Sequence, residues 1–336
     1  MNFFRVRSDI AIDLGTANTL VYLKNQGIAL NEPSIVACDR KSGNPIAIGS
    51  EALQMQERTH PDIETIQPMK DGVIADFERA EHLIRGLLQT VQKGWFTSIG
   101  RMVVCIPSGI TEVEKRAVRD SAEHAGAKTV HLIAEPMAAA IGIGLNVHEP
   151  VGNMVIDIGG GTTEIAVIAL SGIVVDQSIK VGGHAMDSAI LHYFRKYHNL
   201  LIGLRTAERI KRVIGSAVKQ NSEMEMDVKG RDLVSQFPKV RTISSEDVRE
   251  AIETEISQIK SAVARCLEST PPELGADVLE RGIMLTGGGA LLTGMDTAIQ
   301  TLVDMPVHVA EDPLTAVVRG TGKVLDDVGR YRNVLM

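Results

Sequence analysis

An aspartate closing an apolar strand, followed by a run of glycines and threonines, is a combination able to hold phosphate and a divalent cation. Met154 to Ile168, MVIDIGGGTTEIAVI, has this form. Met154, Val155 and Ile156 read as a buried strand ending at Asp157. Gly159, Gly160, Gly161, Thr162 and Thr163 form the turn, and Ile165 to Ile168 start a second apolar run. The pattern predicts a β-hairpin with a glycine-rich tip. Lacking Cβ atoms, the glycines can bring their amides close to an anion in the concave arrangement that holds phosphate. One such triplet could equally be a plain tight turn.

The chain, however, carries the design twice. Ile10 to Leu23, IAIDLGTANTLVYL, is again an apolar strand, an acid (Asp13), a small polar turn (Gly15, Thr16, Ala17, Asn18, Thr19) and a second apolar strand. The two aspartates are 144 positions apart, about the length of one domain. Two such halves can close on one nucleotide from opposite sides, each tip holding phosphates. Asp13 and Asp157 would then face a divalent cation through its water shell, because Mg²⁺ gives up water reluctantly. This points to an ATPase cleft between two related domains.

Other candidates need elements to position them. Val130 to Ile133 reads as a strand and Pro136 suits the first turn of a helix, so Glu135 lies where strand hands over to helix. There it could position an attacking water, or simply favour the helix dipole. Glu208, Lys211 and Arg212 share one face of a helix expected over 206–218; a surface ion pair and a clamp on ribose and base are both open. Gly287, Gly288 and Gly289 follow the strand at Ile283 and are expected to open a helix, a turn where backbone can approach adenine or phosphate. Trp95, the only tryptophan, and Phe96 lie in a loop between Gly94 and Gly100, flanked by Lys93 and Arg101. Such aromatics either insert at a membrane interface or fold back onto the core. The leader Met1 to Arg7 is too short to anchor alone and either touches a membrane or packs on the body.

The scaffold is legible in the same way. Phe77, Leu83, Ile84, Leu87, Leu88 and Val91 have helical spacing within 75–91, and Ser245 to Leu267 reads as a long amphipathic helix. Thr111 and Glu114 predict a capping box at the start of another. Residues 31–72 read as a small inserted unit: a turn at Asn31 to Pro33, short strands at 35–37 and 46–49, a helix at 51–58 and a returning loop.

With 336 residues, 44% hydrophobic and 23% charged, the chain can bury two cores, and disordered or fibrous classes are excluded. Its net charge of -7 and lack of a long basic run argue against nucleic acid as a partner. Cys38, Cys105 and Cys266 have no metal spacing and are expected as reduced thiols. Arg5, Arg7, Ser8 and Asp9 interrupt any signal-peptide core, and no apolar run reaches the roughly 20 residues of a membrane span.

Taken together, IDLGTANT, IAEPMAAAIG, VIDIGGGTTE, TAERIKR and TGGGALL resemble the five nucleotide-site motifs of the actin, chaperone-ATPase and sugar-kinase superfamily. IALNEPSIVA, MKDGVIADFE, PSGITEVEKRAV and DPLTAVVRGTG are similar to the MreB family of bacterial actin homologues, so the resemblance covers nearly the whole chain. It implies an α/β actin-like fold: two related domains, each with a mixed five-stranded sheet and helices, forming four subdomains around a nucleotide cleft. Their expected bounds are 1–30, 66–143 and 316–336 for IA, 31–65 for IB, 144–180 and 244–315 for IIA, and 181–243 for IIB. It also implies ATP or ADP with Mg²⁺ organised by Asp13 and Asp157, Glu135 as the water-positioning acid with Thr162 assisting, and Glu208 and Lys211 on the ribose. Gly15, Thr16, Ala17, Asn18, Gly159 to Thr163 and Gly287 to Ala290 would line the nucleotide. Ala134 departs from relatives that carry a second acid before the Glu-Pro pair, which touches only the tuning of Glu135.

The resemblance further implies paired protofilaments at the inner face of the cytoplasmic membrane, insertion of Trp95 and Phe96 into an anionic bilayer, and partnership with membrane-bound cell-wall elongation proteins such as RodZ and MreC in keeping cells rod-shaped. A sugar or acetate kinase of the same superfamily is the alternative, but no further Asp motif supplies an acceptor base. A chaperone would need a peptide-binding domain after the last cleft motif.

Overall fold

The computed structural model describes residues 7–58, 60–91 and 98–336. The first half opens with strands β1 (Arg7–Leu14), β2 (Asn18–Leu23) and β3 (Gly27–Pro33). An excursion follows through β4 (Val36–Asp39), β5 (Pro45–Ile48), helix α1 (Gly49–Met55) and β6 (Ile63–Ile66), whose sheet, ordered β5-β4-β6, covers a small core of Ile35, Ala37, Ala47 and Ala52. The chain returns through a two-stranded turn, β7 (Met69–Lys70) and β8 (Val73–Ile74), and continues as α2 (Phe77–Val91), β9 (Ser98–Ile106), α3 (Glu112–His124), β10 (Ala127–Ala134) and α4 (Glu135–Gly142). The capping box forms, with Thr111 Oγ1 accepting from the Glu114 amide and Glu114 from the Thr111 amide.

The second half runs β11 (Asn153–Ile158), β12 (Thr163–Ala169), β13 (Gly172–Ile179), α5 (Gly183–Tyr197), β14 (Leu200–Leu201), α6 (Leu204–Ile214), β15 (Glu225–Asp232), β16 (Pro238–Ser244), α7 (Ser245–Glu268), α8 (Pro272–Arg281), β17 (Ile283–Thr286), α9 (Met295–Val303), β18 (Val307–Val309) and α10 (Ala316–Asp326). The two main sheets have one topology. The first is ordered β10-β9-β1-β2-β3 and the second β18-β17-β11-β12-β13. In each, an antiparallel hairpin (β1 and β2, or β11 and β12) takes a parallel strand (β9 or β17) against its first strand. Each sheet also has a register shift between its hairpin and the next strand. The sequence repeat is thus a repeat of whole mixed five-stranded sheets.

The halves are joined by helices rather than by a tether. Every residue of α4 is buried, and it crosses α10 so closely that a methyl on Gly142 or Gly320 would meet the carbonyl oxygen of Ala316 or Ala138. The alanine-rich stretch EPMAAAIG permits this approach. Lys323 donates to the carbonyls of Ile141 (2.9 Å) and Gly142 (3.1 Å), satisfying the C-terminal end of α4. One apolar cluster runs from Ala11, Val103 and Ile133 of the first sheet through α4 and α10 to Val155, Ala166 and Ile168 of the second. Among the described residues, no helix is long and apolar enough to cross a membrane.

Several local expectations are corrected. Asn31 to Pro33 continue β3, because they pair with Asn18 to Leu20 of β2. Phe77 is 53% exposed, since the apolar stripe of α2 begins at Ala80. Helix α6 stops at Ile214 instead of reaching residue 218, as Gly215 leaves the helix and Ser216 bridges to Thr293.

Candidate functional site

The two glycine-rich tips meet. A methyl on Gly160 would lie 2.6 Å from Ala17 Cβ, and one on Gly161 would lie 2.5 Å from Thr16 Oγ1. Glycine is therefore required there by close approach between the halves. Carbonyls of both tips are drawn into the protein. Gly15 O accepts from Ser34 Oγ (2.6 Å) and Ala17 O from the Ser34 amide (2.9 Å). In the second tip, Gly159 O accepts from the Gly183 amide (3.0 Å) and Gly160 O from the His184 amide (2.8 Å), both at the start of α5. Among the described residues, the amides of Thr16, Ala17, Gly160 and Gly161 donate to no carbonyl. They are left available to an anion, as a phosphate cradle requires. The β7–β8 turn closes the group: Gly72 N donates to Thr16 Oγ1 (3.0 Å), and a methyl on Gly72 would be 3.0 Å from Thr162 Cγ2. Thr163 is fully buried and donates to Val181 O (2.7 Å).

Behind the tips lie four acids. Asp13 is opposite Cys105 of β9, whose thiol donates to it (3.2 Å), and Asp157 is opposite Thr286 of β17, whose hydroxyl donates to it (2.8 Å). Corresponding strands of the repeat thus hold corresponding acids from the same side. Glu135, buried, starts α4 with Pro136 behind it, and the fully buried Glu164 lies on β12 opposite Asp157. Burial pushes Asp13 up to about 6 against the Cys105 hydrogen bond. It also pushes Asp157 up to about 7, with Asp13 and Glu164 adding repulsion. Glu135 is raised well above the usual carboxylate range, first by burial and then by Glu164, Asp13 and Asp157. Among the described residues none of the four acids has a Lys, Arg or His ion-pair partner. Clustered buried carboxylates of this kind are stabilised by a bound cation.

The donor set fits Mg²⁺ that keeps most of its water. No group of three or more His, Cys, Asp or Glu side chains surrounds one metal position among the described residues. Mg²⁺ beside phosphates commonly takes only one or two carboxylates, a requirement that Asp13 and Asp157 could meet.

The wall on the α6 side differs in detail from expectation. Lys211 is held at 2.7 Å from the buried Asp187 and donates to Gly183 O (2.8 Å). It therefore fixes the start of α5 beneath the second tip rather than standing free on the helix surface. Asp187 is raised to about 6 by burial, with Lys211 opposing. Glu208 is exposed and lies 3.9 Å from Arg212. Gly287, at φ 78°, packs on the end of β11, where a methyl would meet Ile158 O and Asp157. The triplet leads into a 3₁₀ turn, Gly288–Leu291, and α9 starts only at Met295, so it does not open a helix directly. The reason is the extended segment after it: Thr293 O accepts from the Ala217 amide (2.8 Å), tying the third glycine run to the end of α6. At the mouth of the cleft, Glu57 accepts from the Leu204 amide (3.2 Å) at the start of α6.

The structure thus brings together Thr16 and Ala17 with Gly160 and Gly161, sets Asp13, Asp157 and Glu135 behind them, packs Gly287 against Asp157 and places Lys211 beneath the second tip through Gly183, while Glu208 is exposed beside Arg212. Trp95 and Phe96 lie outside the described residues. Sequence reasoning missed Glu164, Ser108, Asp187, Thr286 and Glu57. Only Glu164 left a clear local signal, as the single charge in the otherwise uncharged strand TEIAVIA.

The chain matches the family described as MreB/Mbl protein over residues 7–333. It is similar to the cell shape-determining protein MreB of Escherichia coli (strain K12), 50% identical over 329 residues covering 96% of this chain and 95% of that one. To the cell shape-determining protein Mbl of Bacillus subtilis (strain 168) it is 46% identical over 322 residues, covering 96% and 97%. Crystal structures of MreB 5 of Spiroplasma citri bound to AMPPNP and to ADP, both 40% identical, match with TM-scores of 0.92 and 0.91. They cover 97% and 98% of this chain and 98% and 99% of theirs.

Proposed function

The chain belongs to the MreB/Mbl family of bacterial actin homologues, and from that premise we propose that it is a filament-forming ATPase that shapes rod cells from the inner face of the cytoplasmic membrane. The observation that carries this reading is the contact of two homologous tips, Gly160 on Ala17 and Gly161 on Thr16, between two sheets of one topology. A nucleotide whose phosphates bridge the tips bonds both halves at once and so favours their closed arrangement, the subunit shape that stacks on its neighbours. The AMPPNP and ADP bound by the Spiroplasma citri relative support ATP as ligand and ADP as product.

In this reading the amides of Thr16, Ala17, Gly160 and Gly161 bind phosphate oxygens, and the rest of Gly15 to Asn18 and Gly159 to Thr163 shape the two tips around them, the Gly159 amide closing the second tip on Thr162 O (2.9 Å). Asp13 and Asp157 would hold Mg²⁺, which when bound would supply positive charge beside the phosphates. Glu135 orients the attacking water with its buried carboxylate, and the Thr162 hydroxyl assists. Glu208 accepts from a ribose hydroxyl, Lys211 steadies the second tip through Gly183, and Gly287 to Ala290 line the base. Phosphoryl transfer of this kind rests on positioning and charge stabilisation.

The four-subdomain division with the bounds given above is part of the proposal. It is supported by the separate three-stranded sheets β5-β4-β6 and β14-β15-β16 beside the two main ones. Membrane attachment through Trp95 and Phe96 rests on the resemblance; at the edge from which β1 and β9 begin, a cavity of about 520 Å³ is lined by Lys24 and Arg101, which lie 3.9 and 3.7 Å from Asp9, and by Lys128, whose charge suits an anionic headgroup. RodZ and MreC are the proposed partners at that surface.

Phosphate release and AMPPNP binding test the site together. Glu135→Ala should retain AMPPNP binding and lose about 10²-fold or more in turnover, the usual worth of a positioned acid or base. Unchanged turnover would remove Glu135 from the mechanism.

A further inference from the structure

Glu164 is the second residue of a buried, otherwise uncharged strand, where a carboxylate is costly unless its hydrogen bonds are met. All seven residues of β12 are buried, and Glu164 is its only charge. Its bonds come from both halves of the molecule. One oxygen accepts from the Ser108 amide (3.2 Å) and the Ser108 hydroxyl (2.8 Å), in the turn that follows β9 of the first half. The other accepts from the Ser178 hydroxyl (2.6 Å) on β13 of the second. Asp157, Glu164 and Ser178 are direct cross-strand partners, with Thr286 opposite Asp157, so the carboxylate belongs to one polar row across four strands. Gly109 lets the Ser108 turn approach, since a methyl there would be 3.3 Å from Ser178 Cβ.

The connections on either side are short. Glu164 is two residues from Thr162 on the second tip. Ser108 is two residues from Ile106, which pairs with Ala134, the neighbour of Glu135. A bond between Glu164 and Ser108 therefore fixes the Thr162 tip relative to Glu135 through short, buried segments of backbone.

We propose that Glu164 is a positioning residue, a latch across the cleft whose bond to Ser108 sets Thr162 and Glu135 at their working separation when the halves close. The inference rests on the ATPase reading and adds a residue to it. What matters is the shape of the latch rather than its charge. A glutamine at 164 can still accept from Ser108 with its oxygen and donate to the Ser178 hydroxyl with its nitrogen, whereas alanine makes neither bond.

The test is steady-state ATP turnover of the full chain, with AMPPNP affinity and thermal stability measured on the same samples. Glu164→Ala should lower kcat by about tenfold or more, the lower end of what a hydrogen bond to a charged group is worth, with AMPPNP affinity changed less than about threefold. Ser108→Ala, which removes the shorter, hydroxyl bond between the halves and leaves only the 3.2 Å amide one, should lower kcat severalfold. Ser178→Ala, which breaks only the bond within the second half, should stay within about twofold of wild type. Glu164→Gln should keep most of the activity.

Equal losses in the two serine variants, or kcat falling only in step with thermal stability, would overturn the latch in favour of a purely structural role. A glutamine variant as impaired as the alanine one would overturn it in favour of a charge effect. An active wild type with Ser108→Ala and Glu164→Ala unimpaired rejects the latch alone. A wild type that binds AMPPNP but releases no phosphate rejects the ATPase reading itself.

Discussion

Gly160→Ala probes the contact between the tips with one methyl group. The backbone at Gly160 is not in the left-handed region, so alanine brings no conformational strain there. The new Cβ would stand 2.6 Å from Ala17 Cβ and 3.2 Å from Ala17 N, and the tips must part by roughly 0.8 Å to reach the 3.4 Å edge of ordinary contact. Ala17 N belongs to backbone that Ser34 holds through Ala17 O, so the first tip cannot simply bend away. Overpacking of this size costs about 1–3 kcal/mol. Because the methyl clashes when the halves are closed, the penalty falls on that state and lowers the closed-to-open ratio about 5- to 150-fold. Apparent affinity for AMPPNP with Mg²⁺ should weaken by up to that factor, read by titration calorimetry or by the thermal shift at saturating nucleotide. Gly172→Ala, where the nearest atom is Ala169 O at 3.7 Å, should leave binding unchanged. Adding Ala17→Gly to Gly160→Ala removes the closest contact and should restore part of the affinity. Wild-type affinity in Gly160→Ala would refute the idea that nucleotide binding requires the tips to touch.

Two further outcomes follow from the site and its surroundings. In the folded protein without nucleotide or Mg²⁺, Asp157 is held near 7 against an ordinary value of 3.8, so the folded state keeps a proton that the unfolded state has released. Stability should therefore fall as pH rises from about 4 through 7. Melting temperatures at pH 5.5 and 8 should show a smaller loss in Asp157→Asn than in wild type, with Mg²⁺ recovering stability at pH 8 in the wild type only; equal pH slopes would contradict the assignment. Changing Trp95 and Phe96 together to Ser should reduce co-sedimentation with anionic liposomes while leaving AMPPNP binding intact, and unchanged pelleting would reject these residues as the anchor.

What could be read from the sequence was local. The two hairpin tips were legible because an apolar strand, its terminal acid and the glycines after it are contiguous, and their spacing exposed the duplication. Glu135 was legible for the same reason, with Pro136 marking the hand-over from β10 to α4. The partners of these groups were not. Lys211 meets Asp187 from another helix, and Ser108 meets Glu164 from the other half, contacts that only tertiary packing creates. Helix α6 ends at Ile214, short of the span its sequence suggests, because Gly215 packs against Leu292, far along the chain. Asn31 to Pro33 looked like a turn on composition, yet pairing with β2 extends the strand through them. The third glycine run has the local pattern of a helix start, and nothing nearby in sequence reveals the bridge between Ser216 and Thr293. Local chemistry thus pointed to the two glycine tips, while the geometry that couples the halves emerged from the fold.

In the proposed function, nucleotide closes two homologous halves into a subunit that polymerises. Sedimentation of the purified chain with and without ATP and Mg²⁺, with electron microscopy of the pellets, separates this from the alternatives. Filaments should pellet with ATP, far fewer without nucleotide, and fewer in Gly160→Ala at matched ATP. A chain that stays in the supernatant with ATP bound, or that transfers the γ-phosphate to a sugar or acetate without forming filaments, would contradict it.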